Sequence, residues 1–410
     1  MSSPSETTVV VGAGHAGAEL VSALRQKGYT GRIILIGEEA ELPYHRPPLS
    51  KAYLSGNVSR ESLLIRNAAS YEKLQVECWI GTQVLSIDRQ ARTVALSDGR
   101  EQPYTKLVLA TGGRVRRLDA PDAQKNNVHY VRTLADIDRL KAMFAAGQRL
   151  LVIGGGYIGL EAAAVGIKSG LSVTVLETAP RVLARVAAPE ISAFYERAHR
   201  TRGVDLRTGV SVLDYLGREE VEAVRLSDGS ELALDLIVVG IGILPNDELA
   251  RDAGLDIDNG ILVNEFAQTS DPDILAVGDC ANHINTFLGR SARIESVPSA
   301  QEQARTAAAA ICGKAIPHAA VPWFWSDQFD LKLQMVGLSL GYDQLQLRGD
   351  IEAESFCAFY LKNGVVVSAD AVNRPQDFMV AKRLVASRSR VSVEALADEN
   401  VPLKSLLSVA

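Results

Sequence analysis

Two stretches of the chain share one grammar. VVVGAGHAGAE (Val9–Glu19) and LVIGGGYIGLE (Leu151–Glu161) each run from a short apolar segment through Gly-x-Gly-x-x-Gly into a helical pattern. In such a loop the first glycine (Gly12, Gly154) makes the tight strand-to-helix turn. The second (Gly14, Gly156) lets a pyrophosphate approach the backbone, and the third (Gly17, Gly159) lets helix and strand pack closely. The helix N-terminus adds unpaired N–H groups and a partial positive charge for phosphate. A second strand follows each helix and ends in an acid, Glu38 or Glu177, which lie 21 and 18 residues after the last glycine. A carboxylate there can accept hydrogen bonds from a ribose 2′-OH. One such loop is a weak signal, because glycine is common. Strand, spacing and acid occurring twice point to two dinucleotide sites.

The likeness continues downstream. Residues 82–112 alternate apolar and polar, turn at Ser97-Asp98-Gly99 and end in KLVLATG; residues 207–242 turn at Ser227-Asp228-Gly229 and end in DLIVVGIG. Each copy therefore reads as βαβ, a small antiparallel meander and a returning parallel strand. The expected fold class is α/β, with two Rossmann-like dinucleotide-binding domains and a C-terminal α+β domain. That last region begins near Pro322. WFWSDQFDLKLQMVGLS, DQLQLRG and SFCAFYLKNGVVVSADAVN read as strands, Asn363-Gly364 as a two-residue hairpin turn, and 375–387 as an amphipathic helix. It carries no glycine loop and is expected to cover what the other domains hold.

Composition excludes several classes. A net charge of −6 argues against nucleic acid as a bulk partner. No apolar run approaches the about 18 residues of a membrane span, and the polar start MSSPSETT does not resemble a secretory signal. The expectation is a cytoplasmic protein with no membrane partner. Cys78, Cys280, Cys312 and Cys357 form no C-x-x-C pair, and the six histidines form no i, i+4 pair, so no metal site is expected.

Two sites for one dinucleotide would serve no reaction, whereas a flavin dinucleotide beside NADH makes chemical sense. DILAVGDCA (Asp273–Ala281) decides which site is which. Its strand ends in Gly278-Asp279, where an aspartate can bond the ribitol hydroxyls of a flavin; the plain alternative is a turn or helix cap. Because this motif follows the second copy, the first domain reads as split. The expected division is 1–112 and 245–321 for FAD, 113–244 for NADH, and 322–410 for the C-terminal domain. Glu177 favours NAD over NADP, although Arg181 and Arg185 lie nearby.

VVVGAGHAG, RPPLSKAYL, LVLATGG, LVIGGGYIGLE, GIGILPN, LAVGDCA, RIESVPSA and PWFWSDQ together resemble the FAD- and NADH-dependent ferredoxin reductases of bacterial cytochrome P450 and aromatic-ring dioxygenase systems. The resemblance implies a glutathione-reductase-like fold without that family's redox disulfide. It implies that Ala16, Glu38, Lys51, Val84, Ala110, Thr111, Gly112, Arg132, Gly278, Asp279 and Val297 line FAD. It implies that Tyr157, Ile158, Glu161, Glu177 and Gly242 lie near NADH, with Lys51 and Glu161 paired beside the flavin. Pro47-Pro48 forces extended backbone, and Ser50 is expected to cap a helix that starts at Lys51. From the residues alone, the plain alternatives are a surface charge for Lys51 and Arg132 and a first-turn helix acid for Glu161, while Trp325 reads first as a core aromatic; the sharper reading of Trp325 is an indole between flavin and partner. The implied partner is an acidic [2Fe-2S] ferredoxin that serves a cytochrome P450 or oxygenase. Arg293, Arg305, Lys332, Lys382 and Arg383 are the docking candidates. The alternatives are a rubredoxin reductase, an NADH oxidase, or a redox-controlled association flavoprotein of the apoptosis-inducing-factor kind.

Overall fold

A computed structural model describes residues 6–120 and 124–407; the polar start at 1–5 and the last three residues lie outside the described residues. The chain forms two units. The first comprises Met1–His45, Arg60–Arg114 and Leu244–Pro322, and the second Arg46–Ser59, Val115–Ile243 and Trp323–Ala410. The RPPLSKAYL stretch from Arg46 onward thus belongs with the second glycine loop.

The first unit is built on a five-stranded sheet in the order Ile274–Ala276, Lys106–Leu109, Thr7–Val11, Arg32–Gly37, Val76–Ile80. Every pairing is parallel. Val9, Val10, Ile33, Ile34, Leu35 and Leu107 are fully buried, as continuous apolar strands covered on both faces must be. On one face the His15–Gln26 helix packs against the Val297–Ile311 helix through Leu20, Leu24, Ala300, Ala304 and Ala307. The alanines let the two helices approach closely. The other face packs against Val94, Leu96 and Tyr104 of the meander, and Ile261.

The second unit repeats the order: Val128–Tyr130, Leu236–Val239, Arg149–Ile153, Ser172–Glu177, Asp205–Thr208, again all parallel. The edge strand beside the returning strand comes from later in the chain in one copy and from earlier in the other. The C-terminal region is an antiparallel sheet ordered Trp323–Gln328, Leu331–Gly337, Val365–Val372, Ser355–Lys362, Gln344–Asp350. Its hairpin turns at Asn363 and Gly364, with φ of 50° and 74°, the paired positive values a tight two-residue turn requires. The Pro375–Ala386 helix lies on this sheet and buries Phe378, Val380, Ala381 and Leu384.

Both glycine loops are sterically closed at their third glycine. A Cβ on Gly17 would overlap the carbonyl oxygen of Gly12, and one on Gly159 that of Gly154. Gly17→Ala and Gly159→Ala should each destabilise the protein by about 2 kcal/mol or more, read as a lower urea midpoint with an unchanged slope.

Candidate active site

In the first unit the residues expected at a flavin follow the C-terminal ends of adjacent parallel strands. Gly12 follows Val11, Ala110 follows Leu109, Glu38 follows Gly37, and Gly278 comes two residues after Ala276. Parallel pairing brings these ends to one edge, where open α/β sheets bind ligands. Gly12 has φ +118°, and a Cβ there would overlap the carbonyl oxygen of Ala110. Nothing lies within 4 Å of where a Cβ of Gly14 would stand. The His15–Gln26 helix starts with no side-chain cap and no acid in its first turn, so its N–H groups are open to a pyrophosphate. A cradle walled by backbone and vacant only at Gly14 fits the diphosphate of FAD.

The rest of this edge is held by hydrogen bonds. Thr111 Oγ1 donates to the Asn246 carbonyl at 2.6 Å, while Asn246 Nδ2 and N donate to the carbonyls of Thr111 and Gly112 at 2.9 Å. The Gly278 N–H donates to Gln303 Oε1 at 2.6 Å, and the Ala16 Cβ lies 3.2 Å from where a Gly278 Cβ would be. Asp279 is half-buried just beyond, Val297 opens its helix, and Val84 is buried at the start of the meander. Glu38 is exposed at the edge. Asn246 and Gln303 were not singled out from the sequence; Asn246 stands in GIGILPN, but its bonds reach 135 residues back along the chain.

The second loop repeats the cradle. Gly154 has φ +110°, with the Gly240 carbonyl oxygen 2.5 Å from a Cβ placed there, whereas at Gly156 the nearest atom is 3.9 Å away. The Tyr157–Lys168 helix again has no side-chain cap. The Glu177 carboxylate accepts from the N–H groups of Gly155 and Ala179, both at 2.8 Å, which fixes it beside the loop. Arg181 is spent on its own loop, donating to the carbonyls of Ala184 and Ala187 and to Ser192 Oγ. Arg185 is exposed, near the positive-φ Gly242. The fixed acid and the occupied Arg181 fit NAD. Ile158 is exposed, and Tyr157 stacks on Phe324 with ring centroids 5.0 Å apart and donates to Met335 Sδ at 2.8 Å. Burial raises the Tyr157 pKa well above the usual phenol value, so it stays neutral.

Within the second unit, Lys51 and Glu161 form an ion pair, Nζ to Oε2 at 2.7 Å, with Lys51 18% and Glu161 1% exposed. Three expectations need correction. Because the glycine loop runs to Gly156, the helix begins at Tyr157, and Glu161 sits on its second turn, fully buried, rather than as a first-turn acid. Pro47-Pro48 is not extended and Ser50 caps no helix: the two prolines, with φ already fixed near the helical value, open a 3-10 turn over Pro47–Ser50, Lys51 follows it in non-helical backbone, and Ser50 Oγ donates to Glu161 Oε2 at 2.6 Å. The other carboxylate oxygen accepts from Ser326 Oγ at 2.6 Å. Gln328 Nε2 donates to Ser326 Oγ at 3.2 Å, and His199 Nε2 meets Gln328 Oε1 at 2.9 Å. Removing one partner of such a buried pair costs about 3–5 kcal/mol, because the other charge is stranded. Arg132 is half-buried, and its carbonyl accepts from Arg46 Nη1 at 2.8 Å.

On the opposite face of the same strand, Trp325 is half-buried and lies 5.6 Å, centroid to centroid, from Trp323. Lys382 Nζ stands 4.7 Å over the Trp323 ring. Of the docking candidates, Arg293 is paired with Glu295, and Arg305 with Glu19 and Glu302. The four cysteines are free thiols. Burial pushes the Cys78 thiol up to about 11 and raises the other three, so none is a reactive thiolate.

Residues 6–304 match the pyridine nucleotide-disulphide oxidoreductase family, and residues 323–407 match the reductase C-terminal family. Putidaredoxin reductase of Pseudomonas putida is 48% identical, covering 99% of this chain and 97% of that protein. The chain belongs to the flavin-dependent ferredoxin reductases. A ferredoxin–NAD(P)+ reductase of Sphingomonas sp is 45% identical over 98% of this chain and 97% of its own. The reductase in the crystal structure of the covalent putidaredoxin reductase–putidaredoxin complex superposes with a TM-score of 0.96 at 48% identity, covering 100% of this chain and 99% of that one. As in those ferredoxin reductases, the fold is two glycine-loop α/β bodies with an α+β C-terminal region.

Burial holds the His199 imidazole down at about 4. Between that value and the ordinary 6.5 the unfolded chain binds one more proton than the fold, so stability is full above about pH 6.5 and is lost as pH falls toward 4. His199→Gln should lower the number of protons taken up on acid unfolding by about one, measured from the pH dependence of the urea midpoint.

Proposed function

We propose that the chain is an NADH:ferredoxin oxidoreductase that passes electrons from NADH through FAD, one at a time, to a [2Fe-2S] ferredoxin serving a cytochrome P450 or related oxygenase. The observation that carries this reading is the pair of cap-free glycine cradles within one chain that resembles ferredoxin reductases along its whole length. FAD supplies the chemistry, accepting a hydride and returning electrons singly.

The division of labour is part of the proposal. Residues 1–112 and 245–321 hold FAD through Gly12, Gly14, Ala16, Gly17, Glu38, Val84, Ala110, Thr111, Gly112, Gly278, Asp279 and Val297, joined by Arg132. Residues 113–244 hold NADH through Gly154, Gly156, Tyr157, Ile158, Gly159, Glu177 and Gly242, and 322–410 form the C-terminal domain. Lys51, oriented by Glu161, serves the flavin as a fixed cation that favours its reduced, anionic form. Trp325 lies on the electron path toward the partner. The four free thiols and the dependence on NADH fit a cytoplasmic setting. No helix among the described residues is long and apolar enough to cross a membrane. The inert thiols argue against an NADH oxidase that works through a redox cysteine.

Mixed anaerobically with NADH, the FAD-loaded protein should bleach, and a [2Fe-2S] ferredoxin should restore its colour. NADPH should bleach it at least about tenfold more slowly, because the fixed Glu177 carboxylate opposes a 2′-phosphate. A colourless protein that binds no FAD would sink the reading; reoxidation by rubredoxin or oxygen alone would redirect it to those acceptors. Trp325→Ala should leave bleaching by NADH intact while slowing ferredoxin reduction by about tenfold, read by stopped-flow absorbance.

A further inference from the structure

The mechanism above uses Lys51 and Glu161 and leaves His199, Gln328 and Ser326 without a task. These three come from two distant stretches of the second unit. His199 lies in the Pro189–Thr201 helix, and Ser326 and Gln328 in the Trp323–Gln328 strand. All three are fully buried, and they form one hydrogen-bonded line ending on Glu161 Oε1.

The direction of every bond in that line follows from counting protons. Glu161 accepts from Lys51 and Ser50 on one oxygen, so it is engaged as a carboxylate. Ser326 has a single hydroxyl proton, and it is committed to Glu161. Ser326 Oγ can then only accept from Gln328, which turns the amide N–H₂ toward Ser326 and the amide oxygen toward His199. An amide oxygen only accepts, so His199 must carry its proton on Nε2. The opposite polarity would need two protons on Ser326 Oγ, or a proton on Glu161. The far end is closed: His199 Nδ1 is buried with no hydrogen-bond partner, and an added proton there would be a buried, unpaired N–H. The depressed imidazole pKa has the same cause, burial first, with the Arg202 charge adding to it. Around the line also lie the Phe329 ring, 5.0 Å from that of His199, and the phenols of Tyr157 and Tyr195, which burial keeps neutral and which feel the carboxylates of Asp370 and Glu161. A line that ends in a dead end and passes through an amide does not conduct protons.

We propose that Ser326, Gln328 and His199 are positioning residues that point a one-way series of donors at Glu161, holding it as an oriented carboxylate so that Lys51 keeps its proton and its place. The inference rests on the reading of Lys51 as the cation that serves the flavin. It assigns the line a static electrostatic task rather than proton transfer.

The test uses the FAD-loaded protein and separates the two claims. Nitrogen-15 NMR of the imidazole at neutral pH should show His199 as the neutral Nε2–H tautomer. An Nδ1–H tautomer or a doubly protonated ring would overturn the proposal, whatever the flavin does. Ser326→Ala and Gln328→Met should slow anaerobic bleaching by NADH about tenfold, with NADH affinity unchanged. Ser326→Thr, which keeps the hydroxyl, should restore the rate. If wild-type flavin bleaches but the alanine and methionine variants match it within about twofold, the line has no positioning role. If wild-type flavin does not bleach at all, the functional reading fails, and the tautomer measurement still decides the polarity of the line.

Discussion

Contact between a helix and its own loop, too close for any side chain, underlies everything else in this molecule. At Gly17 over the Gly12 carbonyl, and at Gly159 over the Gly154 carbonyl, there is no room even for a methyl group. That approach seats the first turn of each helix directly over the C-terminal edge of its sheet. The open N–H groups then face outward where neighbouring strands also end, so one steric fact yields both a well-packed sheet face and an anion site. The two loops are equivalent in this respect. What distinguishes them is what the adjacent strands deliver: Gly278-Asp279 and Ala110–Gly112 in one unit, and the Glu177 carboxylate in the other.

Burying Glu161 is the expensive feature of the second unit. A carboxylate with 1% exposure survives only because donors reach both of its oxygens. Those donors come from the turn that Pro47-Pro48 opens and from the strand that Trp323 opens, so three remote pieces of sequence meet at one charge. Such a site resists change at any single position and is correspondingly rigid. Rigidity is what a reaction controlled by positioning and electrostatics requires.

Much of this fold was legible because it is local. Glycine spacing, apolar runs and Asn363-Gly364 declare a strand, a loop or a hairpin within about a dozen residues. The repeat was legible because the same local signals recur in the same order. What escaped was made by distance. Val128–Tyr130 is too short for any periodicity to show, yet it completes a sheet. Ser50 looks like a cap because serine before an apparent helix usually is one; the turn that the two prolines open sends its hydroxyl to Glu161 instead. His199 looked like one scattered histidine among six. Nothing near it in sequence announces Gln328, which lies 129 residues away.

The Trp323–Gln328 strand places its even-numbered residues, Phe324, Ser326 and Gln328, against Tyr157 and the Glu161 line, while Trp323 carries the Lys382 ammonium over its ring and Trp325 stacks beside it. Alternation thus partitions one short segment between two sets of neighbours. A change at Trp323 or Trp325 therefore leaves the hydrogen bonds to Glu161 in place, and a change at Ser326 or Gln328 leaves the Lys382 contact in place. One short segment can in this way vary on one side without disturbing the other.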